Sequence, residues 1–411
     1  MKVYMDNAAT TRVLDEAIEA MLPFMKEKYG NASSLHAMGS EADEALADFR
    51  KRLARLINAE PEEIVFTSGA TESNNLAIWG AAFARPDKKH FITSAIEHSA
   101  VLNPMHRLEK LGRRISVLGV DREGFVDVGD VEKAIGPQTN LVSIIHANHE
   151  IGTIQNITEI GKICREKGVL FHTDSAQGFT KVPIDVKKMN VDLLTLNSHK
   201  IHGPKGVGAL YVREGVMLEK VYDGGPQERN LRPGTENLPG IAGFVTAAEI
   251  GVRDMEKNNA RIRKMRDKLV EGLLTIPHTQ LNGPKGANLH RRLPGNANIT
   301  FKYIEGEALM MNLSLEGIYV STGSACSSRS LTPSHVLKAI GLKHEEAHGS
   351  IRFSLSKFNN EDEIPFVVEK TKKAVERLRK ITAFVPQIHS EIESAHPVTF
   401  YRERESPAEE A

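Results

Sequence analysis

Between about residues 60 and 215, short apolar runs alternate with amphipathic segments of helical period, and this alternation most constrains the fold. The runs are EIVFTS, HFITSAI, RISVLGV, NLVSIIHAN, VLFHTDS, VDLLTLNS and GALYV; segments such as AVLNPMHRLEKLG and ITEIGKICREKG separate them. Near-continuous apolar strands joined by helices predict an α/β fold with a mainly parallel seven-stranded sheet covered on both faces. Ligands of such sheets bind beyond the carboxyl ends of the strands, so the residues just after each run are where chemistry is expected.

With 411 residues, the chain exceeds the ~250–300 that one core usually supports, and two domains are expected. After about residue 255 the pattern changes. A charged helical stretch, RDMEKNNARIRKMRDKLVEGL, leads into the shorter strands NANITFKYI, GIYVSTG and SIRFSLS and the helices GEALMMNLSLEG and EDEIPFVVEKTKKAVERLRKI, as in a smaller α+β domain. The tail ends in charged YRERESPAEEA.

Lysine plus arginine (53) equals aspartate plus glutamate (53), so no global field attracts nucleic acid or anionic lipid. The opening MKVYMDNAATTRV lacks an apolar signal core, and no run nears ~18 apolar residues, so a cytoplasmic protein without membrane contact is expected. Two cysteines make neither a disulfide framework nor paired zinc ligands. Cys164 shares helical spacing with Ile157, Ile160 and Ile163 and is expected in the core. Cys326 sits in STGSACSSRS, among small residues that cannot bury it. Its reactivity is the better reason for that position, the alternative being a buried thiol beside the cap of the following helix.

The strand ends carry a consistent chemistry. VLFHT ends in Asp174, a costly carboxylate unless donors or a cation accompany it; capping the next helix is the rival role. VDLLTL runs into Asn197-Ser198-His199-Lys200, and a lysine between a buried strand and a glycine-rich turn suits a Schiff-base former better than a surface charge. EIVFT runs into Ser68-Gly69-Ala70-Thr71, where free backbone N–H groups at a helix start suit an anion, although an N-cap explains the hydroxyls equally. His98 and His149 follow two further strands; a metal site with Asp174 is the rival there, but no zinc-ligand spacing supports it. An amine for an aldehyde, a carboxylate for a pyridinium proton, a phosphate cradle and an aromatic ring to stack together match the needs of pyridoxal 5′-phosphate (PLP).

The blocks YMDNAATT, FTSGATESNN, EHSAVL, NHEIG, HTDSAQ, SHKIHGPKGVGALY, RPGTEN, STGSACSS and SIRFSLS, in this order from about residue 3 to 385, resemble the cysteine desulfurases of the NifS/IscS type. The resemblance implies a class-V-aminotransferase-like, fold-type I PLP enzyme. It would be a homodimer that converts L-cysteine to L-alanine, leaves a persulfide on Cys326 and passes sulfur to an IscU-type iron–sulfur scaffold protein. A large PLP-binding domain is expected over 15–255, a small domain carrying the cysteine loop over 1–14 with 256–385, and a tail over 386–411. The resemblance assigns Lys200 to the PLP bond, Asp174 to the ring nitrogen, Gln177 to the ring hydroxyl and His98 to the ring face. Ala70, Thr71, Asn197 and His199 fall in the phosphate cradle, and Thr235 would reach a phosphate in the partner subunit. Arg352, with Asn31 nearby, would hold the substrate carboxylate. His98 is also the candidate for moving protons at the substrate thiol, and Cys326 the catalytic nucleophile and a transient ligand to a [2Fe–2S] cluster shared with the scaffold. This chain departs at His149, where the family usually has asparagine, and at Asn197, where it usually has serine; Ser198, one step away, is the candidate substitute. Selenocysteine lyase or another PLP lyase or aminotransferase of this fold is the nearest alternative. A weakly active sulfur-carrying or cluster-holding assembly protein is the alternative of another class.

Overall fold

The structure is a computed structural model that describes residues 1–322 and 333–381. After β1 (Val3–Tyr4) and two helices, the chain lays down β2 (Ile64–Thr67), β3 (His90–Ser94), β4 (Arg114–Leu118) and β5 (Thr139–Ser143). It continues with β6 (Leu170–Asp174), β7 (Leu193–Asn197) and β8 (Gly208–Val212). These seven strands form one sheet in the order β2-β8-β7-β6-β5-β3-β4, parallel throughout except for β8, which is antiparallel to both neighbours. The seven apolar runs are thus the seven strands.

Side chains alternate across a strand, so each strand feeds two cores. Val142, Phe171, Leu194, Leu196 and Tyr211 face one core together with Phe179 and Phe244. Leu141, Leu170, Leu193 and Leu210 face the other, against Trp79 and Val101 of flanking helices. Cys164 lies in the first core at 1% exposure, and burial pushes its thiol up to about 12. It is inert packing, as its spacing predicts.

A second sheet follows in the order β12-β13-β10-β9, all antiparallel: β9 (Thr279–Asn282), β10 (Asn296–Phe301), β12 (Ser321–Thr322) and β13 (Ser350–Ser354). Its own core gathers Ile299, Phe301, Ile351 and Phe353 with Leu269, Leu309 and Val375 of the covering helices. β1 pairs in parallel with β11 (Ile318–Tyr319), so the first residues join this second layer. The carboxyl ends of the large sheet face β13 across the segment Asp6–Thr11, and the pocket opens there. Among the described residues, no helix is long and apolar enough to cross a membrane.

Candidate active site

A cavity of about 580 Å³ is lined by Ala70, Thr71, His98, His149, Asp174, Gln177, Asn197, His199, Lys200 and Arg352. Each comes from a strand end or the turn after one: His98 after β3, His149 after β5, Asp174 ending β6, Asn197 ending β7, and Arg352 from the middle of β13. The size suits a cofactor with a small substrate.

Asp174 is buried at 4% exposure, and two donors offset its desolvation: Asn74 Nδ2 to Oδ2 at 2.7 Å and Ala176 N to Oδ1 at 2.9 Å. Lys200 sits in a 3₁₀ turn, Ser198–Lys200, that directly continues β7. Its Nζ donates to the carbonyls of Ala8 and Ala9, each at 2.6 Å. Gln177 donates from Nε2 to Ala8 O at 2.8 Å and accepts from Lys181 Nζ at 3.0 Å. His199 meets Thr10 Oγ1 at 3.1 Å, and burial beside Lys200 pushes its imidazolium down to about 4.

His98 caps the Ser99–Lys110 helix: its Nδ1 accepts from Ala100 N at 3.0 Å, which leaves the proton of the neutral ring on Nε2. Burial pushes its imidazolium down; Lys200 and His335 add to this and Asp174 opposes it. The His149 ring stands edge-on to His98 with centroids 5.3 Å apart. Burial, with the charges of His98, Arg352, Lys200 and His335, holds His149 well below the usual histidine range. Two neutral imidazoles therefore share one wall. Arg352, 1% exposed, donates from Nη2 to Asp6 Oδ1 at 2.9 Å and from Nη1 to His149 O at 3.3 Å, while its Nε has no partner.

PLP fits these residues. The Ala70–Ala84 helix begins at the cavity, so its unpaired N–H groups and positive end meet an anion there. Asn197 Oδ1 beside that helix end is buried without a partner, as is Arg352 Nε across the cavity. A ligand with a phosphate at one end and a carboxylate near the other would satisfy both groups, the carboxamide turning its NH₂ to the phosphate.

Several expected residues lie elsewhere. Ser198 does not line the cavity; its hydroxyl is buried and unpartnered, and a Cβ on Gly203 would come within 2.2 Å of it. Asn197 ends the extended β7 and Ser198 opens the 3₁₀ turn, so the change of backbone direction between them carries the hydroxyl out of the cavity lining. Ser198 therefore offers no hydroxyl to the lining of this cavity. Asn31 is exposed and, like Thr235, lies outside this chain's cavity lining. Cys326 falls at 323–332, outside the described residues. The structure adds His335, which sequence reasoning missed. It lines the cavity, with its Nε2 2.9 Å from Glu97 O. The only sequence signal was its position in PSHVLK, just after the cysteine segment.

Residues 3–367 match the family model described as aminotransferase class-V. The cysteine desulfurase IscS of Methanosarcina thermophila is 50% identical over 386 residues, covering 94% of this chain and 95% of the relative. A solved NifS-like protein superposes with a TM-score of 0.86 at 40% identity, covering 92% of this chain and all of the other. A structure titled SspA in complex with cysteine superposes with a TM-score of 0.77 at 38% identity, covering 87% and 100%.

Proposed function

The chain belongs to the class-V aminotransferase family, and from that premise we propose that it is a PLP-dependent cysteine desulfurase that converts L-cysteine to L-alanine and supplies sulfur for iron–sulfur cluster assembly. One observation carries this reading: Lys200, Asp174, His98 and Arg352 converge on a single cavity at the start of the Ala70–Ala84 helix. When bound, the cofactor supplies an aldehyde for amines and a ring that takes up electron density from the substrate's Cα.

The protein does the rest. Asp174, fixed by Asn74 and Ala176, holds the proton on the ring nitrogen, and the helix N-terminus with Thr71, Asn197 and His199 holds the phosphate. Arg352 holds the substrate carboxylate through its unpartnered Nε and its fork, oriented by Asp6. Lys200 would hold the cofactor's aldehyde end and, as a free amine in the same cavity, is placed to take the substrate's Cα proton. His98 Nε2 moves the proton at the substrate thiol. The Cys326 thiolate would attack the substrate sulfur: the S–S bond of the persulfide forms as the substrate's Cβ–S bond breaks, the bond's electron pair stays with the carbon skeleton, and a proton added at Cβ gives alanine; only the thiolate is nucleophilic.

In this reading two copies form a homodimer in which Thr235 of one reaches the phosphate held by the other. Exposed Leu35, Tyr29, Met25 and Met217 support such pairing. The division into a domain over 15–255 and one over 1–14 with 256–385 is supported by the two sheets, each with its own core. Delivery to an IscU-type scaffold, a transient [2Fe–2S] ligand role for Cys326 and a cytoplasmic location complete the proposal.

The test is a visible spectrum and an alanine assay with L-cysteine. Wild type shows a yellow band and forms alanine. Lys200→Ala loses the band and the borohydride-trapped adduct at position 200; an unchanged band rules out that residue's role. Cys326→Ala keeps the band yet releases no sulfide under reductant, and full release removes the thiol from the reaction.

A further inference from the structure

Behind Lys200 lies a second cavity of about 70 Å³, room for a few waters, lined by Gln177, Thr180, Lys181, Lys200 and Asn259 among others. Lys181 lines this inner cavity and an outer pocket beyond it; Gln177 and Lys200 line the inner cavity and the active site. Three side chains thus form one line from outside to the reacting nitrogen. Lys181 Nζ donates to Gln177 Oε1 at 3.0 Å, Gln177 Nε2 donates to Ala8 O at 2.8 Å, and Lys200 Nζ donates to the same carbonyl at 2.6 Å.

The chemistry of the first link fixes the second. An ammonium has donors and no acceptor, so while Lys181 is protonated the carbonyl end of Gln177 faces it and the NH₂ end faces the active site. The backbone is built to hold Lys181 there. Thr180 has φ 60°, a left-handed conformation that β-branched residues rarely adopt, and a Cβ on Gly251 would come within 2.7 Å of Thr180 Cγ2. Buried Asn259 donates to the Lys181 carbonyl at 2.8 Å.

We propose that Lys181 is a positioning residue for the cofactor side of the pocket: it holds the Gln177 amide with its N–H end toward the active site, and its charge opposes a proton on the nitrogen at Lys200. This rests on the PLP reading above. The surrounding charges agree with it. The lining that Lys181 shares with Lys200 also holds His149, His202 and Lys357, and no carboxylate. Outward, Glu256 is the one carboxylate beside Arg263, His290 and Arg291. Burial, with the charge of Lys200, pushes the Lys181 ammonium down to about 7, so the two amines already compete for charge.

The experiment follows the visible band of the PLP-bound protein across pH. Each charged amine disfavours the other's proton, and an N–H donor stabilises a ring oxyanion; removing both raises the pH at which the cofactor-bearing nitrogen gives up its proton. Lys181→Met is expected to move the midpoint upward by about 0.5–1 pH unit, and Lys181→Arg to restore it to within about 0.2 unit of wild type. An unmoved midpoint in a folded, yellow Lys181→Met protein overturns the proposal. If that variant does not fold, Lys181→Gln, which keeps a donor but no charge, carries the electrostatic part of the shift, and an unmoved midpoint there counts equally against it. A wild type with no visible band overturns the PLP reading itself, and this inference with it.

Discussion

Arg352 reaches the cavity with a guanidinium only partly engaged, because Asp6 and the His149 carbonyl take the two Nη atoms and leave Nε unpartnered. A planar fork with a free edge suits a carboxylate; an ammonium lacks both the plane and the second donor. Arg352→Lys is therefore expected to raise KM for L-cysteine by roughly 10–100-fold, about 1.4–2.8 kcal/mol, while leaving the visible band in place. Initial rates across substrate concentration check this, and an unchanged KM would move the carboxylate site elsewhere. At this scale the sequence was informative where a costly residue type sat at a strand end. Asp174 and Lys200 could be singled out because burying either demands a reason. His335 could not, since a histidine in a short amphipathic segment has ordinary surface uses and only the fold brings it to the wall. Ser198 lies outside the cavity lining for a related reason: one residue along the chain is a small step, but it crosses from the extended end of β7 into a turn.

The contact between strand and helix sets the anion end of the pocket. β8 begins at Gly208, paired with Thr67 of β2, and the chain leaves β2 through Gly69 into the Ala70–Ala84 helix. A Cβ at 208 would lie 2.8 Å from Gly69 Cα and 2.8 Å from Leu196 O, both backbone atoms that cannot step aside. Gly208→Ala is expected to push the helix start away from Asn197, costing roughly 1–3 kcal/mol of stability. It should also weaken cofactor retention by about 10-fold or more. Dialysis followed by absorbance measures retention, and wild-type retention in the variant would show that this close approach does not shape the cradle. Seven strands were legible because buried parallel strands are nearly uninterrupted apolar runs. The reversal of β8 was not, since residue content marks burial and not direction. β9 (TQLN) escaped because three of its four residues are polar.

Buried ionisable groups around the large sheet set the molecule's stability against pH, and they pull in opposite directions. Burial holds His90, His146 and His172 neutral, pushed down to about 4, and His149 lower than usual as well. Their unfolded value is near 6.5, so their contribution is present above that pH and is lost as pH falls from 6.5 toward 4. Glu97 and Glu150 behave inversely. Burial raises them to about 8 and about 7, against donors from Ser94 and Ile145 in one case and Ser334 in the other. Their protonated form stabilises the fold fully below 4.5, and that is lost as pH rises through 7 and 8. Between 4.5 and 6.5 the two sets overlap, and these four histidines, joined by His199 and His202 at about 4, outweigh the two carboxyls. The cofactor-saturated protein is therefore expected to melt highest near pH 6.5–7, with Tm lower by a few degrees near pH 5 and again near pH 9. Melting curves at constant ionic strength test this, and a Tm that climbs steadily to either extreme would contradict the assignment. Glu97→Gln separates the two limbs: the amide keeps the neutral shape at every pH, so the alkaline decline should shrink while the acid decline stays. Its Oε1 already accepts from Ile145 N at 2.8 Å, a bond the amide oxygen can keep. A variant whose alkaline limb is unchanged would mean that the buried carboxyl beside His98 is ionised in the native protein, with its charge balanced by a neighbour.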